Sequence, residues 1–118
     1  QSFNPLEKSN PNHLKDDILI KINDKYKRVR FDDVDYIKAD GKYVSLHING
    51  RSFSIRTTLK EIMEILPNKF LRSHASYIVN VEKIESIQMH EQNIELEHIN
   101  LPFSRKYKNS ILDRFHLG

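Results

Sequence analysis

The sequence predicts a mostly β protein, built of small packed antiparallel sheets in an elongated β-sandwich, with a short helix at about 57–66 and a C-terminal helix at about 104–115. Three observations predict it. From Ile18 onward, short runs of alternating apolar and polar residues are separated by turn residues, the pattern of antiparallel strands. An Asn49-Gly50 pair sits between two such runs. Apolar residues take helical spacing in two stretches, Leu59 to Leu66 and Tyr107 to Phe115.

Residues 1–17 are rich in Asn, Pro and Ser, show no apolar period, and read as a linker or disordered lead-in; residues 18–118 form the domain. The runs 18–22 and 25–31 flank Asn23-Asp24, a two-residue hairpin turn. In the second run Val29 and Phe31 offer the core candidates, while Tyr26, Arg28 and Arg30 give a peripheral strand with a basic outer face. The next run, 33–40, leads to a bend at Gly41, where positive φ is cheap. Residues 42–56 are a hairpin about Asn49-Gly50, with Val44, Leu46 and Ile48 on one face, Tyr43, Ser45 and His47 on the other, and Phe53 and Ile55 on the return strand.

Thr58 and Glu61 have capping-box spacing at the start of the first helix, Leu59, Ile62, Met63 and Leu66 form its buried stripe, and Pro67 ends it. The segment 70–76 reads as a protruding loop between helix and strand. Strands follow at 76–81, 84–90 and 93–98, the last two joined tightly by Glu91-Gln92, with Ile94 and Leu96 inward and Glu95 and Glu97 outward. Residues 101–103 lead through Ser104, a good N-cap, into the second helix, whose apolar positions are Tyr107, Ile111, Leu112 and Phe115.

A chain of 118 residues suits one core rather than two. No apolar run is long enough to span a bilayer, and Gln1 in first place suggests a fragment or a processed chain. The absence of cysteine removes disulfides, thiolate metal sites and a Cys nucleophile, and fits a cytoplasmic location. Net charge is +3; residues 1–17 contribute −1 (Lys8 and Lys15 against Glu7, Asp16 and Asp17), so the rest carries +4. This mild excess is compatible with nucleic acid, and its distribution has to decide.

No enzyme, cofactor or metal is expected. None of the six histidines pairs with another at i+3 or i+4. There is no Gly-rich phosphate loop and no nucleophile-elbow or HExxH pattern, and a hydrolytic combination of His74, Glu61 or Glu82 and Arg105 has no spacing rule behind it. Cations instead stand at element ends. Arg72 and His74 lie among the small residues Ser73, Ala75 and Ser76, which permit close approach to phosphate or base edges. His74 has a second reading, as a core histidine bridging strands. Arg105, Lys106 and Lys108 crowd the first turn of the last helix, against its dipole, where a ligand rather than the fold would use them. Arg105 suits guanine O6 and N7, and the lysines suit phosphate. Lys42 and Tyr43 project beside Gly41.

In order and spacing, IKADGKYVSLHI (37–48), RTTLKEIMEILPNKFLRSHASYIVNVEKIESI (56–87) and LPFSRKYKNSIL (101–112) resemble the LytTR family of DNA-binding domains, over about residues 18–115. The stretch FLRSHASYIVN (70–80) is the most specific. The resemblance implies sequence-specific binding of double-stranded DNA by loops in transcription regulation, as the output module of a two-component response regulator. The implied contacts are Lys42, Tyr43, Arg72, Ser73, His74, Ala75, Ser76, Arg105 and Lys106. Ala75 departs from the family pattern, where a polar or basic side chain is common, which shifts readout toward His74 or Ser73. The implied partners are repeated DNA sites, a second copy of the chain on DNA, and an upstream receiver domain absent from this chain. Two other readings are a protein-interaction or dimerisation module with merely solvated basic loops, and an RNA binder, for which Tyr43 is the obvious exposed aromatic.

Overall fold

A computed structural model describes residues 16–115. The lead-in assigned to 1–17 lies outside these except for Asp16 and Asp17, and His13 and His116 lie outside them too. Strands β1 (Asp17–Ile22) and β2 (Lys25–Arg30) form the first hairpin, in register from Asp17 opposite Arg30 to Ile22 opposite Lys25. Asn23 turns the chain at φ 57°, a conformation that its short polar side chain tolerates. Ile18, Ile20 and Val29 point inward, and Tyr26, Arg28 and Arg30 are exposed as expected.

The central element is a five-stranded antiparallel sheet in the order β5-β4-β3-β7-β6. Its strands are β3 (Tyr36–Asp40), β4 (Tyr43–Ile48), β5 (Arg51–Ile55), β6 (Phe70–His74) and β7 (Tyr77–Asn80). Asn49 and Gly50 both have positive φ (49° and 82°), as the two-residue turn between β4 and β5 requires. Alternation along the strands feeds two cores where the chain's length suits one, because both faces of this single sheet are covered. On one face Ile37, Val44, Leu46 and Ile78 pack with the first hairpin, with Phe31, which meets Phe70 edge to face at 6.2 Å, and with helix α1 (Leu59–Met63). On the other, Tyr36 and Val79 pack against Ile94, Leu96, Leu101 and Phe103, and against Ile111 of helix α2 (Arg105–Phe115).

Helix α1 opens with the expected capping box: Glu61 N–H donates to Thr58 Oγ1 (3.1 Å) and Thr58 N–H to Glu61 Oε1 (3.2 Å). It is half the expected length. Ile65 N–H bonds back three residues, to Ile62 O (3.1 Å), so the turn tightens before Pro67, which disfavours helical backbone at Leu66. Met63 and Leu66 still pack on the core, so the apolar stripe outlives the helix.

A third sheet, in the order β10-β9-β8, comprises β8 (Ser86–Gln88), β9 (Asn93–Glu95) and β10 (Asn100–Pro102). The expected tight turn at Glu91-Gln92 is instead a four-residue loop, 89–92, since Gln88 pairs with Asn93. Glu-Gln is not a pair that takes two consecutive positive φ values; Gln92 alone does so, at 58°. Of residues 101–103, read as a lead-in, the first two belong to strand β10, with Pro102 on the sheet's edge where a missing N–H is harmless. The segment 70–76 is a strand for most of its length, and only Ala75 and Ser76 form a turn. Burial of Phe70 fixes the strand at one end and pairing of His74 with Tyr77 at the other. Among the described residues no helix is long and apolar enough to cross a membrane.

Candidate nucleic-acid interface

Strand register brings the implied contact residues together. β3 pairs with β4 as far as Asp40 opposite Tyr43, so Gly41 and Lys42 form a hairpin tip, with Gly41 at φ 62°. On its other side β3 pairs with β7 as far as Lys38 opposite Tyr77, and Ala39 N–H donates to Ser76 O (2.9 Å). The β3–β4 and β6–β7 tips therefore lie at the same end of the sheet. α2 joins them there, because Ser104 N–H, one residue before the helix, donates to Ser73 O (2.9 Å).

At this end Lys42, Tyr43 (45% exposed), Ala75, Arg105 and Lys106 are open to solvent, and Ser76 and His74 are partly so. The His74 ring is fixed: Nδ1 accepts from Ser76 N–H (3.1 Å) and the ring meets Tyr77 edge-on at 5.8 Å. The neutral ring then carries its hydrogen on Nε2 and offers a donor. His74 thus serves the turn through one nitrogen and leaves the other available. Arg72 is half-buried, with Nε–H donating to His74 O (3.2 Å), Nη2–H to Ala75 O (3.0 Å), and its guanidinium 5.9 Å from the centre of the Tyr107 ring. Ser73 does not join the surface: it is 0% exposed, and its carbonyl rather than its side chain meets a neighbour.

One cation at this end, Arg56, escaped sequence reasoning; a second, Lys38, stands in the sequence across the Gly41 bend as added charge and gains its place from the fold. Val44 pairs with Ile55, so Arg56 follows at the position opposite Tyr43, exposed. Lys38, exposed opposite Tyr77, lies beside the β6–β7 tip. Counting both hairpin strands back from Asn49-Gly50 would have found Arg56. The place of Lys38 beside the β6–β7 tip depends on the long-range β3–β7 pairing, for which local sequence holds no signal.

The other end of β4 differs in chemistry. A cavity of about 450 Å³ there lies between the second core's two sheets and is lined by Tyr36, His47, Asn49 and Gly50, with Asp35, Glu82, Glu85 and Glu97 among its acids. Tyr36 and His47 stack at 4.3 Å, nearly parallel. Burial, then the neighbouring Tyr77, pushes the Tyr36 hydroxyl above its ordinary range; burial, then Lys38, holds His47 below the usual imidazole range. Ser45 Oγ is 2.9 Å from His47 Nε2, the spacing of a nucleophile and its base. The nearby carboxylate does not complete a triad, for Asp35 accepts from Asn49 N–H (3.2 Å) and pairs with Lys83 (3.8 Å).

The LytTr DNA-binding domain family model matches residues 24–116. A solved LytTr DNA-binding domain of a response regulator from Bacillus cereus aligns with a TM-score of 0.77 at 25% identity, over 87% of this chain and 99% of that one. An uncharacterized response regulatory protein of Vibrio cholerae serotype O1 is 35% identical over 78 residues, which cover 59% of this chain and 30% of the relative. The match therefore spans about a third of that relative's length. Matched over most of its length by the family model, and sharing its fold with a solved member, this chain belongs to the LytTR family of DNA-binding domains.

Proposed function

We propose that this chain binds double-stranded DNA sequence-specifically through the end of the molecule where the two hairpin tips and the start of α2 meet. One observation carries the reading: three segments distant in sequence place Lys42, Arg56, His74, Arg105 and Lys106 at one end of one sheet, with mostly small residues at the β6–β7 tip. Lys42, Lys106 and Arg56 meet phosphate, while Arg105 and the Nε2–H of His74 address acceptors on base edges. Ser73 drops out of the contact set because its side chain is buried. Contact is made by tips and a helix start, with no helix laid in a groove.

The wider role we propose is that of an output module in two-component transcription regulation, acting in the cytoplasm behind a receiver domain and binding repeated sites as two copies. The similarity to a response regulatory protein supports this, and the unmatched remainder of that relative leaves room for a receiver.

Genomic fragments selected on the immobilised domain supply the duplex, and its affinity is then measured from low to physiological salt. The logarithm of the association constant should fall with the logarithm of salt concentration by about 0.9 per phosphate contacted. Arg105→Ala should cost about 1–3 kcal/mol and relax discrimination at one base pair; equal weakening on all duplexes would make Arg105 a phosphate contact. A domain that retains no duplex even at low salt would overturn the proposal and favour the protein-interaction reading.

A further inference from the structure

We infer that Arg72 is a positioning residue of the DNA-contact end, holding the β6–β7 tip and the start of α2 in one fixed arrangement without itself contacting the duplex. This rests on the duplex-binding reading above. The motif that carries the family resemblance places Arg72 two residues before His74, and a cation there invites assignment as a contact. Its surroundings assign it elsewhere.

The backbone around it is irregular for a reason. Arg72 pairs with Ile78 and His74 with Tyr77, so Ser73 is an extra residue, a β-bulge that bends the strand. The bend turns Ser73 inward to full burial and turns its carbonyl toward Ser104 N–H. The residue before α2 is thereby tied to the bulge. Arg72 supplies a second tie, three residues further on. Its guanidinium faces the Tyr107 ring at 5.9 Å, within the range of cation–π attraction, and Lys106 Nζ lies 5.6 Å from the same ring. Its Nε/Nη2 edge is engaged by His74 O and Ala75 O, the two carbonyls that lead into the turn.

Arg72 thus grips the tip with one edge and the first turn of α2 with its plane. The Nε/Nη2 edge is one with which a guanidinium makes bidentate contacts to guanine or phosphate, and here backbone occupies it. A lysine cannot substitute, because an ammonium has neither a planar face nor a fork. Exposed Ala75 and half-buried Ser76 flank this clamp on one side, and exposed Arg105 and Lys106 on the other. Releasing it lets the two groups drift relative to each other without removing any phosphate-binding cation.

The test compares Arg72→Ala, Arg72→Lys, Tyr107→Ala, Tyr107→Phe and the Arg72→Ala/Tyr107→Ala double variant, each read for thermal midpoint, affinity for the selected duplex well below that midpoint, and salt slope. Arg72→Ala should weaken binding roughly tenfold, an ordinary size for a coupled pair, with the salt slope unchanged. Arg72→Lys should fail to rescue, Tyr107→Phe should bind as wild type, and the double variant should be no worse than the weaker single. A slope shallower by about 0.9, with additive loss in the double variant, would make Arg72 a phosphate contact and overturn the inference. Lost discrimination at one base pair would make it a base reader, and a lower midpoint with unchanged affinity would make it a fold brace only; either outcome also overturns it. If wild type binds no duplex, the proposed function has failed rather than the clamp, and amide exchange decides the clamp. Arg72→Ala should then speed exchange at Ser104 while β3 and β4 amides stay protected; uniform acceleration would refute it.

Discussion

Ser73 and His74 are adjacent, yet the bulge sends one into the core and the other to the surface. The Ser73 hydroxyl is fully buried and has no hydrogen-bond partner among the described groups. An unpaired buried hydroxyl costs about 1–3 kcal/mol, so Ser73→Ala should stabilise the fold by about 1 kcal/mol, measured as a higher denaturant midpoint with the same slope. A destabilised variant would mean that the hydroxyl is bonded. His47 offers a second check, on pH. Because burial and then Lys38 hold its folded pKa below the ordinary value near 6.5, the unfolded chain takes up the proton more readily. Stability from this source is complete above that ordinary value and is lost as the pH falls through it toward the lower folded one. The unfolding midpoint should therefore drop between about pH 7.5 and 5.5, and drop less in His47→Phe, which keeps an aromatic ring against Tyr36. Identical profiles for the two proteins would remove His47 as the cause.

Elements whose signals are local were legible in the sequence, and those fixed by distant partners were not. The Asn49-Gly50 hairpin and the Thr58–Glu61 capping box can be read from two to four residues each, and both form. The Thr57 hydroxyl first, and then the Thr58 amide and hydroxyl, draw the Glu61 carboxyl below its usual range. Thr58→Ala should cost about 1 kcal/mol of stability in denaturant unfolding, whereas an unchanged midpoint would show the cap idle. β6 reads as a loop in the sequence because its bulge breaks the alternation at Ser73 and three of its five residues are polar. β10 leaves no mark in the sequence because three residues containing a proline carry no period of their own; pairing of Leu101 with Ile94 makes them a strand. The candidate site divides the same way. Its residue types were visible, but their meeting at one end depends on the β3–β7 pairing and on the bond from Ser104 to Ser73.

Charge is arranged along the length of the central sheet. Lys42, Arg56, Arg105 and Lys106 gather at the two tips and the start of α2, while Asp35, Glu82, Glu85 and Glu97, with Lys83 as the one lysine among them, surround the cavity beyond the far end of β4. Five residue steps along β4 put the two ends about 17 Å apart, roughly twice the screening length of 8 Å at physiological salt. The acidic end should then orient the molecule during approach at low salt but contribute little to the bound state at physiological salt. Neutralising Glu85 and Glu97 together as Gln should leave duplex affinity within about twofold at 0.15 M salt and leave the salt slope unaltered. Lys42→Gln and Lys106→Gln should each make the slope shallower by about 0.9. The opposite pattern, with the acidic end controlling the slope and the lysines silent, would mean that DNA meets the molecule elsewhere. In that case the shared position of the two tips and the start of α2 would reflect packing alone.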